Sequence, residues 1–163
     1  MQNDQRLRPA SSADERAMIT GWLDWQRQTV PLKCAGLTDE QARRRLLPTS
    51  PEMTVGGLVS HLIAVERHWL VGSFLGEPAG PLDDDGWVDD EPLDSLVDRY
   101  LRQCEVSRRI VAAHQLDELE RYAPEGMPVL SLRWILQHLI EETARHLGHL
   151  DILAELLDGR RGA

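Results

Sequence analysis

Cysteine is scarce: Cys34 and Cys104 are the only two in 163 residues, and they form no CxxC and no repeated spacing. A disulfide framework is therefore excluded, and a reducing cytoplasm is the expected compartment. Each cysteine stands in a helical apolar pattern and reads as a small hydrophobe. Positive charge is short as well, with 18 Lys and Arg against 27 Asp and Glu, a formal net charge of −9. General nucleic-acid or anionic-membrane binding favours a basic face, so neither partner is expected. The run Arg43, Arg44, Arg45 reads as a solvated helix face. No apolar run approaches the roughly 20 residues of a membrane span, and the opening MQNDQRLRPASSADE lacks the apolar core of a signal peptide. No segment alternates convincingly at period two, so no strand pattern competes with what is present.

What is present is helical periodicity, in four long amphipathic segments. The first opens with the capping-box pattern Ser12-x-x-Glu15 and runs to about Val30, with Met18, Ile19, Trp22, Leu23 and Val30 as its apolar face. A short helix or turn is expected from Thr38 to before Pro48. The second long helix starts at the N-cap Thr54 and continues to Leu75, before Gly76 and Pro78. The third begins with Pro92 at its first position and ends near His114, with Leu96, Val97, Tyr100, Leu101, Cys104 and Ile110 facing the core. Ser131 caps the fourth, which ends at Gly159. These elements predict an all-α fold, a four-helix bundle with one long connection, in a single domain over 1–163 with residues 1–11 as a flexible N-terminus. The 77–91 loop carries Asp83, Asp84, Asp85, Asp89 and Asp90 without EF-hand spacing and reads as an acidic surface loop.

The last helix, WILQHLIEETARHLGHLDILAELLDG, carries the densest chemistry. His138, Glu142, His146 and His149 follow one another at offsets of four, four and three, and such residues are neighbours on a helix. Leu132, Leu136, Leu139, Thr143, Leu150, Leu153 and Leu157 form the apolar seam. His146 falls inside it, Glu142 on its shoulder, and His149 and His138 slightly further round. A histidine and a carboxylate against leucines are costly unless paired. A metal would compensate both; so would a hydrogen bond from the histidine to Glu142, and the pattern leaves the two open. The second long helix has its stripe at Val55, Leu58, Val59, Leu62, Val65 and Trp69, with His61 on the flank. Glu66 lies on the apolar arc and needs a partner, for which Arg145 is a candidate. His68 and His114 read as surface histidines. His61, Glu142 and His146 together give two imidazoles and one carboxylate with room for water or substrate, the pattern of a catalytic metal site. His149 would be a fourth contact, an acid–base group or a support for the ligands.

At this point the chain resembles the DinB/YfiT-like superfamily of four-helix bundles. The resemblance covers roughly Arg16 to Gly159. It rests on WLDWQRQTV, the GLTDEQ turn, MTVGGLVSHLIAVERHWL, and LRWILQHLIEETARHLGHLDILAELLDG. It implies a divalent metal, with His61 matching the histidine of the second helix and His146 the last of an HxxxH pair. Glu142 stands where many members have the first histidine of that pair, as in the His-Glu-His variant of the mycothiol-dependent maleylpyruvate isomerases. The resemblance further implies S-transferase or isomerase chemistry on a small electrophile, with a low-molecular-weight thiol such as mycothiol as co-substrate, and pairing into a homodimer. Zinc is the expected metal, with nickel or iron as alternatives. Trp69 and Arg145 are expected to contact substrate and His149 to be catalytic. The alternative is a non-catalytic metal- or ligand-binding bundle or a dimeric interaction module.

Overall fold

A computed structural model describes residues 6–79, 87 and 91–161. The acidic Asp83, Asp84, Asp85, Asp89 and Asp90 lie outside the described residues. Helix α1 spans Glu15–Cys34, and its N-cap is Asp14, which accepts from the Ala17 backbone N–H. The expected Ser12 cap is thus displaced by two residues, because Asp14 already satisfies a free amide of the first turn. The helix also runs past Val30 and through Pro31. A proline so close to the C-terminus forfeits a single backbone bond, and the buried Lys33 and Cys34 keep the last turn docked. The Arg6 guanidinium lies 4.3 Å from the Trp25 ring centroid of this helix.

Helix α2 is a single turn, Asp39–Ala42, closed by a capping box between Thr38 and Gln41. Helix α3, Val55–Arg67, is capped by Thr54 as the sequence predicts. It does not remain α-helical to Leu75: His68–Phe74 form a π-helical turn in direct continuation. Helix α4 covers Leu93–Ala113, and Asp39 caps its first turn by accepting from the Leu93 N–H at 2.8 Å. Helix α5 covers Leu132–Asp158, with Ser131 as N-cap and Gly159 in the left-handed region at φ 79°. Among the described residues there is no strand, only an isolated antiparallel bridge between Leu119 and Ser131 in the α4–α5 connection. The fold is all-α, as expected.

The four long helices close a ring of contacts, α1 on α5, α5 on α3, α3 on α4 and α4 on α1. Their apolar faces fill two clusters. One holds Val30, Leu58, Leu62, Leu96, Tyr100 and Leu150, the other Leu23, Val65, Leu70, Leu132, Leu136 and Leu139. Each such side chain contributes on the order of 1.5–3 kcal/mol on burial. Trp22 and Leu101, expected inside, are 37% and 39% exposed. Among the buried Ile19, Leu23 and Val30 on the core face of α1 lies Arg27, which donates to Glu66 from Nε at 2.7 Å and from Nη2 at 2.6 Å. Arg145 is thus not the partner of Glu66. Arg27, Glu66 and Thr143, all buried, fall where one cluster gives way to the other along α1, α3 and α5.

The start of α3 is set by a close backbone approach. A Cβ on Gly57 would lie 2.3 Å from the Glu52 carbonyl oxygen and 3.3 Å from that of Trp87. Only glycine lets the preceding loop fold back onto the first turn, four residues before His61.

Candidate metal centre

Helices α3 and α5 bring His61 together with Glu142 and His146 across 81 residues of sequence. The local reasons are in the helix patterns: Glu142 and His146 are one turn apart on α5, and His61 sits on the flank of the α3 stripe that packs toward them. Glu142 Oε1 lies 3.0 Å from His146 Nε2 and 3.4 Å from His61 Nε2. All three ligand atoms fall within 4.8 Å of one another. The two imidazoles meet edge to face, their centroids 4.6 Å apart. The second carboxylate oxygen, Oε2, accepts from Arg145 Nη1 at 3.1 Å. Arg145 thereby leaves Oε1 to face the histidines.

Burial sets the electrostatics. It pushes the His61 imidazolium below the ordinary histidine range, against the opposing hydrogen bond and charge of Glu142. Burial does the same to His146, helped by repulsion from His61. Burial also works to raise Glu142, but the hydrogen bond to His61 and the positive charge nearby outweigh it, and the net shift is downward. At neutral pH the set is two neutral imidazoles and one carboxylate, with both Nε2 atoms and Oε1 near a common point. His61 Nδ1 is buried without a hydrogen-bond partner among the described residues.

The other expected residues fall around this point in different ways. His149 Nδ1 lies 3.4 Å from His146 Nδ1, on the nitrogen opposite the one facing Glu142. It is half-buried. His138 is held apart from the cluster, stacked on Trp134 with centroids 5.4 Å apart and edge-on to Trp69 at 4.7 Å. Trp69 is thus two turns along from His61, within an aromatic group of its own. His68 and His114, expected at the surface, are both half-buried. His114 Nδ1 pairs with Glu118 at 2.8 Å, and its ring meets Phe74 edge-on.

Trp87 was not anticipated. Its ring stacks on His61 at 4.3 Å between centroids and 14° between planes, and stands 5.8 Å from His146. It covers the outer face of the cluster. A lone tryptophan in an acidic loop carries no periodic signal, so nothing in the sequence pattern points to it.

Residues 18–159 match the family described as mycothiol-S-transferase. The chain belongs to the mycothiol-S-transferase family. No curated protein gives a match. Membership in the mycothiol-S-transferase family agrees with the DinB-like resemblance read from the sequence. The donor set of this family member suits a divalent cation. Neighbouring donors around a tetrahedral zinc-like ion stand roughly 3.3 Å apart, given bonds of about 2.0–2.1 Å. Two of the three separations, 3.0 and 3.4 Å, bracket that value, and the third lies within 4.8 Å. Nitrogen with oxygen donors suit zinc, nickel and iron alike. No helix among the described residues is long and apolar enough to cross a membrane.

Proposed function

We propose that the chain is a metal-dependent S-transferase that joins a low-molecular-weight thiol, mycothiol by family, to a small electrophile. The observation that carries this reading is the convergence of His61 Nε2, Glu142 Oε1 and His146 Nε2 within 4.8 Å in a chain of the mycothiol-S-transferase family. A divalent cation held there would act as a Lewis acid that lowers the pKa of a thiol and presents it as thiolate at neutral pH.

The chain's own residues supply position and charge. His61 and His146 offer neutral Nε2 lone pairs, and Glu142 brings the one negative charge that offsets a cation. Arg145 fixes the carboxylate through Oε2. His149 acts through His146: a hydrogen held on His146 Nδ1 toward His149 Nδ1 would free the His146 Nε2 lone pair for a cation, in place of the hydrogen bond it makes to Glu142. Trp87 shields His61 from water by stacking. In the transfer itself a sulfur–carbon bond forms, the leaving group departs with its bonding pair, and the thiol proton passes to solvent. Neither cysteine takes part: burial pushes the Cys34 and Cys104 thiols up to about 12, where almost no thiolate exists at neutral pH. Exposed apolar side chains on α1 and α5, Leu32, Ile152 and Leu156, offer area for the homodimer that the resemblance implies.

Elemental analysis of the purified, tag-free protein tests the centre. About one divalent ion per chain should be retained, lost in His61→Ala and His146→Ala, and weakened in Glu142→Ala. His68→Ala and His114→Ala should retain it. An acid–base role for His149 would leave metal retention intact in His149→Gln and reduce turnover alone, whereas positioning of His146 predicts that both fall. Absence of metal after reconstitution, or equal loss in the His68 and His114 variants, would refute the reading.

A further inference from the structure

Two turns from the metal centre a separate cavity of about 600 Å³ opens beside the π-helical turn. Its size is that of a small-molecule site. Its walls are mainly aromatic and apolar, with Trp69, Tyr122, Met127 and Trp134 among them. The far wall is built by the α4–α5 connection, which is tied to the π-helical turn by Arg121 N–H to the Phe74 carbonyl and Tyr122 N–H to the Ser73 carbonyl, both 3.1 Å. Glu120, buried in that wall, is already satisfied. It accepts from the Ser73 hydroxyl and from the Leu130 N–H at 2.8 Å. Among the described residues no lysine or arginine lines the cavity, while Glu77 and Glu120 do.

This chemistry selects the occupant. A polyhydroxylated thiol needs many donors and acceptors, whereas the wall is mainly apolar: Ser73 and Glu120 are committed to each other, and His68, Glu77 and Tyr122 are the other polar side chains that line it. An anion would face two carboxylates with no lysine or arginine to offset them, and burial lowers the pKa of the one lining imidazole, His68. A flat apolar ring finds tryptophan faces: Trp69 and Trp134 stand 5.8 Å apart at 52°. The aromatic group also leads toward the metal centre. Trp134 stacks on His138, and His138 lies one turn before Glu142. Along α5 the whole distance from Trp134 to Glu142 is roughly 12 Å at 1.5 Å per residue, within reach of a two-ring molecule with a reactive arm.

We propose that this cavity binds the apolar aromatic body of an uncharged or cationic electrophile, so that its reactive carbon is held toward His61, Glu142 and His146. The role of the bound molecule as co-substrate rests on the transferase reading; the site and its ligand class do not.

The test uses calorimetric titration of the full chain with 2-naphthol and with naphthalene-2-sulfonate, and turnover of a thiol with 2-(bromomethyl)naphthalene. In that reaction the sulfur–carbon bond forms, bromide leaves with the bonding pair, and the thiol proton goes to buffer. The variants are Trp134→Ala and Met127→Ala, at positions 46% and 62% exposed, with an unchanged circular-dichroism melt as the check that each is folded. Trp22→Ala on α1 is the control. 2-Naphthol should bind the wild type, the control and metal-free His61→Ala alike. Trp134→Ala should bind it about two- to tenfold more weakly, Met127→Ala should also bind it more weakly, and the sulfonate should bind poorly throughout. Trp134→Ala should raise the KM for the bromide by the same factor and leave the KM for the thiol unchanged. Failure of 2-naphthol to bind, equal binding by Trp134→Ala, or preference for the sulfonate would overturn the site. Thioether formation insensitive to Trp134 would also overturn it while leaving the transferase reading standing. Trp134-dependent binding of 2-naphthol with no thioether formed would refute the transferase reading and support the site's ligand class.

Discussion

Removing Glu66 should be strongly destabilising. Its carboxylate takes both Arg27 Nε and Nη2, at 2.7 and 2.6 Å, with the two side chains only 2% and 3% exposed. Burial works to lower the Arg27 pKa, but the Glu66 charge and hydrogen bonds outweigh it and hold the guanidinium charged. Glu66→Ala therefore leaves a charged group in the core, which typically costs about 3–5 kcal/mol. Asp24 still accepts from Arg27 Nη1 at 3.0 Å and is 31% exposed, so the lower end applies. About 3 kcal/mol corresponds to a fall in Tm of roughly 6–12 °C for a chain of this size. Against a total stability on the order of 5–15 kcal/mol, that is a large fraction. The paired replacement Arg27→Met with Glu66→Leu removes both charges and fills the space, and should recover most of the loss. Urea denaturation of the wild type, the single variant and the double variant measures all three. A loss below about 1 kcal/mol in Glu66→Ala, or a double variant no more stable than the single, would refute the assignment of an uncompensated buried charge.

Three further outcomes follow from the geometry. Gly57→Ala forces a Cβ to within 2.3 Å of the Glu52 carbonyl oxygen, so it should cost about 1–3 kcal/mol by overpacking and lower metal retention by moving the His61 turn; unchanged Tm and metal content would show that the loop yields freely. Metal-free protein should lose stability as pH falls below about 6.5, the ordinary histidine value. His61 and His146 are held lower when folded, so the unfolded chain binds more protons. Glu142, also lowered, adds a second loss below its ordinary range, and a His61→Gln, His146→Gln double variant should flatten the first part of the Tm-versus-pH curve. Finally, an aromatic disulfide reagent at pH 8 should leave Cys34 and Cys104 unmodified in the native protein and label both in denaturant, since burial raises both thiols to about 12; fast native labelling would contradict their burial.

Much of this was legible in the sequence because helical periodicity and caps are local signals. Thr54, Ser131 and Gly159 stand where the pattern put them, and the α5 seam through Leu132, Leu136 and Leu139 is fully buried. His146 inside that seam and His61 on the α3 flank already suggested a shared point. The residues that escaped are those whose partners come from elsewhere in the fold. Glu66 could be seen to need a cation, but Arg27 is a charged residue on the buried α1 face of Leu23 and Val30, where periodicity marks apolar positions. Trp87 has no neighbours in sequence that predict a stack on an imidazole. The switch of α3 to π-helix at His68 has no composition signal: HWLVGSF would serve equally well in an α-helix.

That π-helical turn has a consequence for how the aromatic cavity can be altered. A π-turn holds one residue more than the α-turn it interrupts, so everything after it is rotated relative to an unbroken helix. Loss of a single residue between His68 and Phe74 would let the backbone relax to ordinary α-helical pairing. It would also turn the Ser73 and Phe74 carbonyls away from the connection they anchor. The shape of the cavity is therefore encoded in the spacing of residues along the chain as much as in their identity. A one-residue length change would reshape its frame, whereas a substitution acts on its walls.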